Sequence, residues 1–392
     1  MIAMTDSIYW VGVNDRETHL FESMLPIPQG VSYNAYMIVD EKVALIDTVK
    51  ADYNDTYLDK IKSVIGNRDV DYLVINHIEP DHSGCIKSVV EAYPDVKIVG
   101  NKKTANFLEG FYGVTENVLI VKESETLNLG KHELTFFMTP MLHWPETMMT
   151  YEGSNKTLFS GDAFGGFGAL NGGVFDNEVN FSFYEDEMRR YYANIVGRYS
   201  DMVQRALNKL SNIEVQTICS THGIVWRDNP KQVIDLYDKW SKQEGEDGVV
   251  IAYGSMYGNT KAIAEQLARA FAELGIKDIK VYDAARTHMS YILSDIWRYN
   301  TVLLGSSTYN SKMFPPMESL LSKMENSKLK NKNIGVFGTY SWSGESVDLL
   351  QKLTEQCKIQ LFEPTIKNIF APGSETVDNC KALAKNLVAA MK

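Results

Sequence analysis

The 392-residue sequence lacks the features that mark several large classes of protein. No apolar run is long enough to cross a bilayer, which excludes a membrane-spanning helix. The first residues, Met1–Asp6, have no basic region followed by an apolar core, so we expect no secretory signal. Acidic residues outnumber basic ones by 50 to 39, and the resulting net charge of −11 argues against nucleic acid as a substrate.

Cysteine is also scarce. The four cysteines, Cys85, Cys219, Cys357 and Cys380, lie far apart and form no C-x-x-C pair. This spacing excludes an iron–sulfur or rubredoxin-type module within the chain and is typical of a protein in a reducing cytoplasm. The length predicts two or three domains, and the 44% apolar and 23% charged composition is that of a globular protein.

The most distinctive stretch is His77-Ile78-Glu79-Pro80-Asp81-His82. It follows an apolar run over residues 70–76 that predicts a buried strand. Pro80 biases Glu79 away from helical angles, which predicts an open loop up to Ser83-Gly84, with a helix over 85–91. The chain has only seven histidines, so four potential ligands in six positions indicate a metal site and not a solvated loop. The loop alone cannot complete two coordination spheres.

Three further strand ends carry candidate ligands. His143 follows Thr139-Pro140, and His222 follows an apolar strand. Asp162 follows Gly161, which allows a sharp exit from its strand. Each residue taken alone is more often a turn or cap residue. Together with the loop they provide four histidines, two aspartates and one glutamate, which is enough for a two-metal site with a bridging carboxylate.

The first part of the chain predicts an α/β domain over residues 1–246. A hairpin is expected from residues 33–39 and 43–49, and many strands with helices between and after them predict two mixed sheets covered by helices. Further strands are predicted at 97–100, 117–121, 134–138, 147–151, 157–160 and 215–219, and helices at 57–65, 102–110, 185–209 and 231–241. The polar stretch Ser241–Gly248 predicts a linker.

The second part, residues 247–392, predicts regular βαβ alternation. Strands are expected at 249–253, 279–282, 301–305 and 333–338, with an amphipathic helix at 261–274. About 145 residues with this alternation fit a flavodoxin-like doubly wound parallel sheet.

A loop of small residues follows the first strand of this part and matches the flavodoxin phosphate-binding pattern [S/T]-x-x-G-N-T. Hydroxyls and backbone N–H groups at a helix N-terminus can bind a phosphate dianion without a basic residue. Two later loops also follow strand ends, where the switch point of such a sheet puts a ligand. Aromatic residues there can cover a flavin, so FMN fits; FAD does not, because nothing prepares an adenine site. The predicted cofactor-binding residues are Ser255, Met256, Tyr257, Gly258, Asn259, Thr260, Ser307, Thr308, Tyr309, Asn310, Tyr340, Ser341, Trp342, Ser343 and Gly344.

The order H-x-E-x-D-H, H-W-P, S-G-D-x-F and T-H-G resembles the metallo-β-lactamase superfamily and, within it, the flavodiiron proteins. Glu79 stands where the common superfamily loop has a second histidine, and oxygen-rich ligation favours iron over zinc. The resemblance implies an αββα sandwich in which one iron takes His77, Glu79 and His143. The other takes Asp81 and His222, with Asp162 bridging. His82 is either a further ligand or a donor of a proton or hydrogen bond.

The resemblance covers almost the entire chain and implies a cytoplasmic reductase of O₂ to water, of NO to N₂O, or of both. It also implies a head-to-tail homodimer or a dimer of dimers, in which the FMN of one chain faces the iron site of the other. Electrons would come from a rubredoxin-like protein or from reduced deazaflavin F420. No rubredoxin or flavin-reductase extension is expected after Lys392.

Two other functions remain open from the residues alone. A di-zinc or mixed Zn/Fe hydrolase would use a metal-bound hydroxide, although Glu79 weighs against it. An electron carrier or redox sensor would leave the metal site vestigial. Trp144, beside His143, either walls the substrate pocket with a catalytic role or packs in the core.

Overall fold

The structure, a computed structural model, describes residues 1–356 and 359–391, so Cys357 lies outside the described residues. The chain divides into two compact units. One comprises Met1–Tyr191 and Tyr199–Asp238, and the other comprises Tyr192–Arg198 and the chain from Lys239 on. The domain bounds inferred from the sequence, 1–246 and 247–392, stay a prediction. Among the described helices, none is both long and apolar enough to span a membrane.

The first unit is built on two mixed sheets, as predicted. Its strands are β1 (Ile2–Ala3), β2 (Ile8–Trp10), β3 (Val13–Asp15), β4 (Leu20–Phe21), β5 (Leu25–Pro26), β6 (Val31–Tyr33), β7 (Tyr36–Val39), β8 (Val43–Ile46), β9 (Tyr72–Val74), β10 (Lys97–Gly100), β11 (Val118–Ile120), β12 (Thr126–Asn128), β13 (Glu133–Met138), β14 (Met148–Glu152), β15 (Thr157–Gly161) and β16 (Thr217–Ser220). The first sheet has the order β1-β2-β7-β8-β9-β10-β11, and the second has the order β12-β13-β14-β15-β16.

The helices up to residue 242 connect these strands. They are α1 (Asn54–Ile65), α2 (Pro80–Ser83), α3 (Ile86–Ala92), α4 (Lys102–Tyr112), α5 (Ser182–Tyr191), α6 (Ser200–Leu210) and α7 (Pro230–Lys242). The predicted hairpin is the antiparallel pair β7 and β8. Strands β8, β9 and β10 are parallel, and so are β15 and β16. Because parallel strands end at the same edge of a sheet, the residues that follow them collect there.

Two local predictions for residues 80–209 are wrong. The open loop expected up to Ser83-Gly84 is closed earlier by α2. Glu79 has the extended angles that the following proline imposes, but Pro80 at the first helical position is preorganised for a helix, so the turn begins there. The single helix expected over residues 185–209 is interrupted by a π-helical turn, Tyr192–Val196, and a 3₁₀ turn, Gly197–Tyr199.

The interruption has a packing cause at Gly197. A Cβ at this position would lie 2.8 Å from the Trp297 ring, so the backbone passes against the indole as only glycine can. Both residues belong to the second unit. A single Gly in a helical pattern is tolerated in sequence-based prediction, which is why the break was not predicted.

The second unit is a parallel sheet with helices, as the sequence predicts for the flavodoxin-like half. Its elements are β17 (Glu246–Gly254), α8 (Asn259–Glu273), β18 (Ile279–Asp283), α9 (Met289–Arg298), β19 (Tyr299–Tyr309), β20 (Lys312–Met313), α10 (Pro315–Asn326), β21 (Asn333–Tyr340), α11 (Glu345–Gln356), β22 (Gln360–Leu361), β23 (Ile366–Ile369) and α12 (Ser374–Ala389). The sheet order is β18-β17-β19-β21-β22, and β23 pairs with β21 further along that strand.

One apolar core of this unit lies between the sheet and helices α8 and α12. Val249, Ile251 and Leu303 from the strands pack with leucines of both helices, and all are fully buried. The predicted linker over residues 241–248 is wrong in extent, because α7 runs to Lys242 and β17 begins at Glu246. Gln243 is buried there, and its side chain bonds the backbone at Lys328 and Lys330.

Candidate metal centre and cofactor cavity

The structure brings all seven predicted metal ligands together at the ends of four strands. The loop after β9 supplies four of them, and the segments after β13, β15 and β16 supply one each. They form two groups, and within each group one ligand atom per residue lies within 4.8 Å of the others. The first group is His77, Glu79, His143 and Asp162, and the second is Asp81, His82 and His222.

In the first group two imidazoles and two carboxylates point at one another. His143 Nε2 lies 3.1 Å from Glu79 Oε2 and 3.0 Å from Asp162 Oδ2. His77 Nε2 lies 3.2 Å from the same glutamate oxygen and 3.6 Å from the same aspartate oxygen. All four residues are buried or nearly so. Two Nε2 atoms and two carboxylate oxygens thus surround one point, which suits a metal with mixed nitrogen and oxygen ligands.

The second group is reached by the other oxygen of Asp162. Its Oδ1 lies 3.3 Å from His82 Nε2 and 3.6 Å from His222 Nε2. His222 Nε2 is also 3.3 Å from Asp81 Oδ2. Because Oδ1 faces one ligand group and Oδ2 faces the other, Asp162 has the position of a bridging carboxylate.

The backbone around Asp162 explains how it reaches this position. Gly161 has φ +58°, a left-handed angle that turns the chain sharply out of β15, as predicted. The Thr221 hydroxyl, from the next strand end, donates to Asp162 Oδ1. Burial alone would raise the pKa of Asp162, but His82, His143 and His77 hold that pKa well below its ordinary value. The Asp162 carboxylate is therefore ionised and suited to binding cations.

Several polar atoms in this cluster are buried without a hydrogen bond. They are both carboxylate oxygens of Asp81, both ring nitrogens of His82, and Nε2 of His222. Buried polar atoms are normally satisfied, so five in one place require an explanation. Two metal ions would satisfy them, and the donor set therefore fits a two-metal centre.

Outer partners fix the orientation of two of the histidines. His77 Nδ1 lies 2.5 Å from Glu146 Oε1, which also accepts from the Ile78 amide. His222 Nδ1 lies 2.9 Å from the Ser32 carbonyl oxygen. A ring that donates from Nδ1 presents the Nε2 lone pair to a metal. His82 has no such partner, so its tautomer is not fixed in this way.

Trp144 lies against the first ligand group. Its ring is 5.1 Å from the His77 ring in an edge-on arrangement and 6.3 Å from Phe111 in a stacked one. A cavity of about 370 Å³ leads to Glu79 and Asp81, and its other lining residues include Phe21, Tyr33 and Lys50. Trp144 is not among them. Its contacts are those of a residue that packs against a ligand ring.

Three histidines lie outside the two groups. His132 is buried in a chain of hydrogen bonds, with Ser7 Oγ 2.8 Å from Nε2 and Glu152 Oε1 2.9 Å from Nδ1. His288 caps the N-terminus of α9, and His19 is exposed. Of the cysteines described, Cys85, Cys219 and Cys380 are buried free thiols.

The second unit contains a cavity of about 200 Å³ at the carboxyl ends of β17, β19 and β21. Its lining includes many of the predicted cofactor-binding residues: Ser255, Met256, Tyr257, Asn259, Ser307, Thr308, Tyr340 and Ser341. Thr339 and Phe370 also line it and were not predicted. None of the lining residues is charged. A phosphate here would be bound by hydroxyls and backbone amides, as the loop pattern predicts.

The loop before α8 has the geometry that such binding requires. Gly258 has φ +94°, and its N–H donates to Ser255 Oγ at 3.1 Å. Helix α8 begins at the next residue, Asn259, so the free amides of its first turn lie beside the cavity. The buried hydroxyl of Thr260, at the start of α8, is 2.7 Å from that of Thr339, at the end of β21. This contact joins the two segments.

The remaining predicted cofactor residues do not line the cavity: Gly258, Thr260, Tyr309, Asn310, Trp342, Ser343 and Gly344. The loop expected over residues 306–310 is in fact strand, because β19 continues to Tyr309 and pairs with β20. Asn310 then lies on the hairpin turn, with φ +49°. Trp342 is 75% exposed beside the cavity-lining residue Ser341. The sequence of residues 306–310, Ser-Ser-Thr-Tyr-Asn, is mostly small and polar and does not distinguish strand from loop.

A two-metal centre on a sandwich of mixed sheets, followed by a flavodoxin-like sheet with an uncharged phosphate loop, defines a class of metalloflavoprotein. The comparisons agree with this class. Residues 31–223 match the ODP family of β-lactamases, and residues 251–382 match flavodoxin. The chain is 34% identical over 386 residues to the anaerobic nitric oxide reductase flavorubredoxin of an Escherichia coli strain, covering 97% of this chain and 80% of the relative.

Solved structures resemble the chain along its whole length. The rubredoxin oxygen:oxidoreductase of Desulfovibrio gigas superposes with a TM-score of 0.95 at 32% identity, covering 99% of this chain and 98% of that one. The flavodiiron protein of Giardia intestinalis gives 0.92 at 29% identity, with 100% and 97% coverage. The chain therefore belongs to the flavodiiron proteins, a family of oxidoreductases. Its cofactors are FMN and a di-iron centre.

Proposed function

We propose that this chain reduces dioxygen to water, nitric oxide to nitrous oxide, or both, at the di-iron centre. One O₂ with four electrons and four protons gives two waters; two NO with two electrons and two protons give N₂O and one water. The observation that carries the proposal is the placement of Asp162, whose two carboxylate oxygens face two separate groups of buried ligands. One small molecule can then contact both metals.

We assign the ligands by these groups. His77, Glu79 and His143 would hold the first iron, Asp81 and His222 would hold the second, and Asp162 would bridge them. Glu146 and the Ser32 carbonyl hold the tautomers of His77 and His222. His82 belongs to the second group by position. It either completes the ligands of the second iron or donates a hydrogen bond to what that iron binds.

The chemistry that the cofactors supply when bound is electron transfer: ferrous irons and reduced FMN provide the electrons that the gas accepts. The chain supplies position and protons. Tyr191 is buried with its ring 5.7 Å from that of His222, and its hydroxyl makes no hydrogen bond. Burial and then the charge of Asp162 raise its pKa well above the ordinary value, so the hydroxyl keeps its proton and can donate a hydrogen bond toward the site.

Three further parts of the proposal concern the protein's surroundings. A head-to-tail homodimer or homotetramer would bring the FMN of one chain to the irons of another, and the exposed aromatic residues Tyr257 and Trp342 beside the cavity support such burial. Its electron donor would be a rubredoxin-like protein or reduced deazaflavin F420. The free thiols of the described cysteines are consistent with a cytoplasmic location.

The test is gas consumption by the protein loaded with iron and FMN. The enzyme is reduced anaerobically, and O₂ or NO is then added at an electrode with a defined donor. We expect consumption of at least one gas, with water and not hydrogen peroxide as the product of O₂. The same protein loaded with zinc should retain its FMN and consume neither gas at the metal site. Failure of the iron-loaded protein to remove either gas would refute the proposal.

A further inference from the structure

Phe370 combines three unusual features at the cofactor cavity. It follows β23, lines the cavity, and is 61% exposed despite its apolar ring. Its backbone has φ +63°, in the left-handed region that bulky L residues rarely adopt. Glycine or asparagine would relax the backbone at this position, and a polar side chain would remove an apolar ring from water. Sterics and solvation therefore both disfavour phenylalanine here.

The strained turn is held in place from both sides. The Phe370 N–H donates to the Tyr340 carbonyl at 2.8 Å, which extends the pairing of β23 with β21 by one residue. The Asn368 amide donates to the Phe370 carbonyl at 3.0 Å, and its oxygen accepts from the Thr376 hydroxyl at 2.5 Å. Strained angles that persist under such bonding occur mainly at ligand-binding and active sites.

The size of the cavity indicates what the ring is for. At about 200 Å³ it is smaller than the roughly 300–1,000 Å³ of pockets that enclose drug-sized ligands. The phosphate loop fixes one end of the cofactor at Ser255 and Asn259, so part of the flavin ring must extend past the cavity. Phe370 lines the same cavity beside Tyr340, to whose carbonyl its N–H donates, and there an aromatic face can cover what extends.

We propose that Phe370 is a flavin-contacting residue, placed by its strained turn so that its ring packs on the isoalloxazine of FMN and shields it from water. This proposal rests on the proposed FMN site. It adds a contact from the segment after β23 to those expected from the loops after β17, β19 and β21. Contact with the flavin ring would offset both the exposure and the strain. Aromatic contacts of this kind change binding by roughly three- to tenfold.

The test measures FMN binding to the full-length apoprotein by fluorescence titration, and the reduction potentials of the bound flavin. Phe370→Ala should weaken FMN binding about three- to tenfold and shift the potentials, because water then reaches the ring. Phe370→Trp keeps an aromatic ring and should therefore retain the wild-type FMN affinity and reduction potentials. The matched control is Ile369→Ala, since Ile369 is 50% exposed on the same strand end but does not line the cavity.

Phe370→Gly separates binding from folding. Glycine adopts φ +63° without strain, so the melting temperature of this apoprotein should equal or exceed that of Phe370→Ala, while FMN binding is as weak. FMN affinity and potentials in both variants equal to those of Ile369→Ala would overturn the proposal. So would dissociation of an oligomer by Phe370→Ala with FMN affinity unchanged, because a second chain would then be what covers the ring.

The proposed FMN site fails in a distinguishable way. Ser255→Ala removes a hydroxyl that lines the cavity in the phosphate loop, and it should weaken FMN binding whether or not Phe370 contacts the ring. If wild-type apoprotein binds no FMN, or Ser255→Ala binds it as tightly as wild type, the site itself is misassigned. If Ser255→Ala weakens binding and the Phe370 variants do not, only the Phe370 contact is refuted.

Discussion

The two cofactor sites of this chain both hold a charged group inside the protein, but with different kinds of side chain. The metal centre uses charged and titratable side chains, seven of them, drawn from four strand ends. The cofactor cavity is lined by hydroxyls, amides and rings, with no charged residue among its lining. Transition-metal ions such as iron are bound mainly by imidazole and carboxylate side chains, whereas a phosphate can be held by backbone N–H groups at a helix start. The metal centre should therefore depend sharply on single side chains and the cavity only gradually.

The largest effect is expected at the residue that serves both metal groups. Asp162→Asn should lose most of its iron and lower gas consumption by more than about 100-fold, because loss of a ligand exceeds the 10–100-fold cost of losing an outer partner. FMN content should stay at the wild-type level. Iron analysis and flavin absorbance on the same sample check both statements.

A matched control for that variant is Glu214→Gln. Glu214 is an exposed carboxylate of the same unit, paired with Lys156, and its loss should leave iron and FMN unchanged. If Asp162→Asn keeps both irons, the bridging role is wrong. If it loses FMN together with iron, the two sites are not independent and the contrast between them does not hold.

An intermediate effect is expected from the partner of His77. Glu146→Gln keeps the side-chain size but removes the charge that holds the imidazole in position, so iron affinity should fall about 10-fold. Glu152→Gln is the control, because Glu152 makes the same kind of buried contact with His132, at 2.9 Å, away from the metals. Competition with a chelator measures the affinities; an equal loss in both variants would indicate general destabilisation.

A comparable substitution at the cavity should change FMN binding and leave the iron content unchanged. Ser255→Ala removes one hydroxyl near the phosphate and should weaken FMN binding at least about 10-fold, the lower end of the range for one hydrogen bond to a charged group. Ser319→Ala is the control, since that exposed hydroxyl bonds within its own helix. Retention of iron in both variants is expected, and loss of iron from Ser255→Ala would contradict the separation of the sites.

The smallest effect on the two cofactors is expected from a charge buried in the second unit, whose removal changes folding stability instead. Lys332 is buried, its ammonium donates to the carbonyls of Trp297 and Tyr299, and burial lowers its pKa from 10.5 to about 7. Because the pKa of Lys332 is lower in the folded protein, the unfolded protein binds more protons between pH 7 and 10.5. The free energy of unfolding therefore rises with pH across this range, reaches its full value above pH 10.5, and is reduced as the pH falls toward 7. Lys332→Met should remove this dependence, which is on the order of 5 kcal/mol over the whole range.

Unfolding midpoints of wild type and Lys332→Met between pH 7 and 10 measure that difference. The midpoint of wild type, relative to the variant, should rise with pH. Lys280→Met, at an exposed position of β18, should follow wild type. A wild-type midpoint that falls relative to Lys332→Met as the pH rises would mean that a hidden acidic partner stabilises the ammonium.

The same contrast explains what the sequence could predict. The metal residues were predictable because histidines and carboxylates after apolar strands are rare and chemically specific, and the structure brings all seven together. The cavity was predicted only in part, because serine, threonine and tyrosine occur in any loop. Phe370 was missed because β23, Ile366-Lys367-Asn368-Ile369, is short and mixed in polarity, so no strand was predicted there. The left-handed backbone at Phe370 could not be predicted, because the identity of a single phenylalanine does not indicate a positive φ.

Two other features of the fold could not be predicted from local sequence patterns. The interruption of the helix after Tyr191 depends on Gly197 passing the Trp297 ring, a contact across 100 residues of sequence that no local pattern contains. The early turn at Pro80 depends on a choice between two effects of proline, restriction of the residue before it and preorganisation of a helix start. Both operate at this position, and the second closes the loop.

The most direct test of the central claim is the cofactor content of the purified native protein. Iron, zinc and FMN should be measured together per chain on one sample. Two irons and one FMN per chain, with little zinc, are the expected result. Zinc in place of iron, or a colourless protein with neither flavin nor iron, would contradict the assignment of a di-iron centre supplied with electrons by FMN.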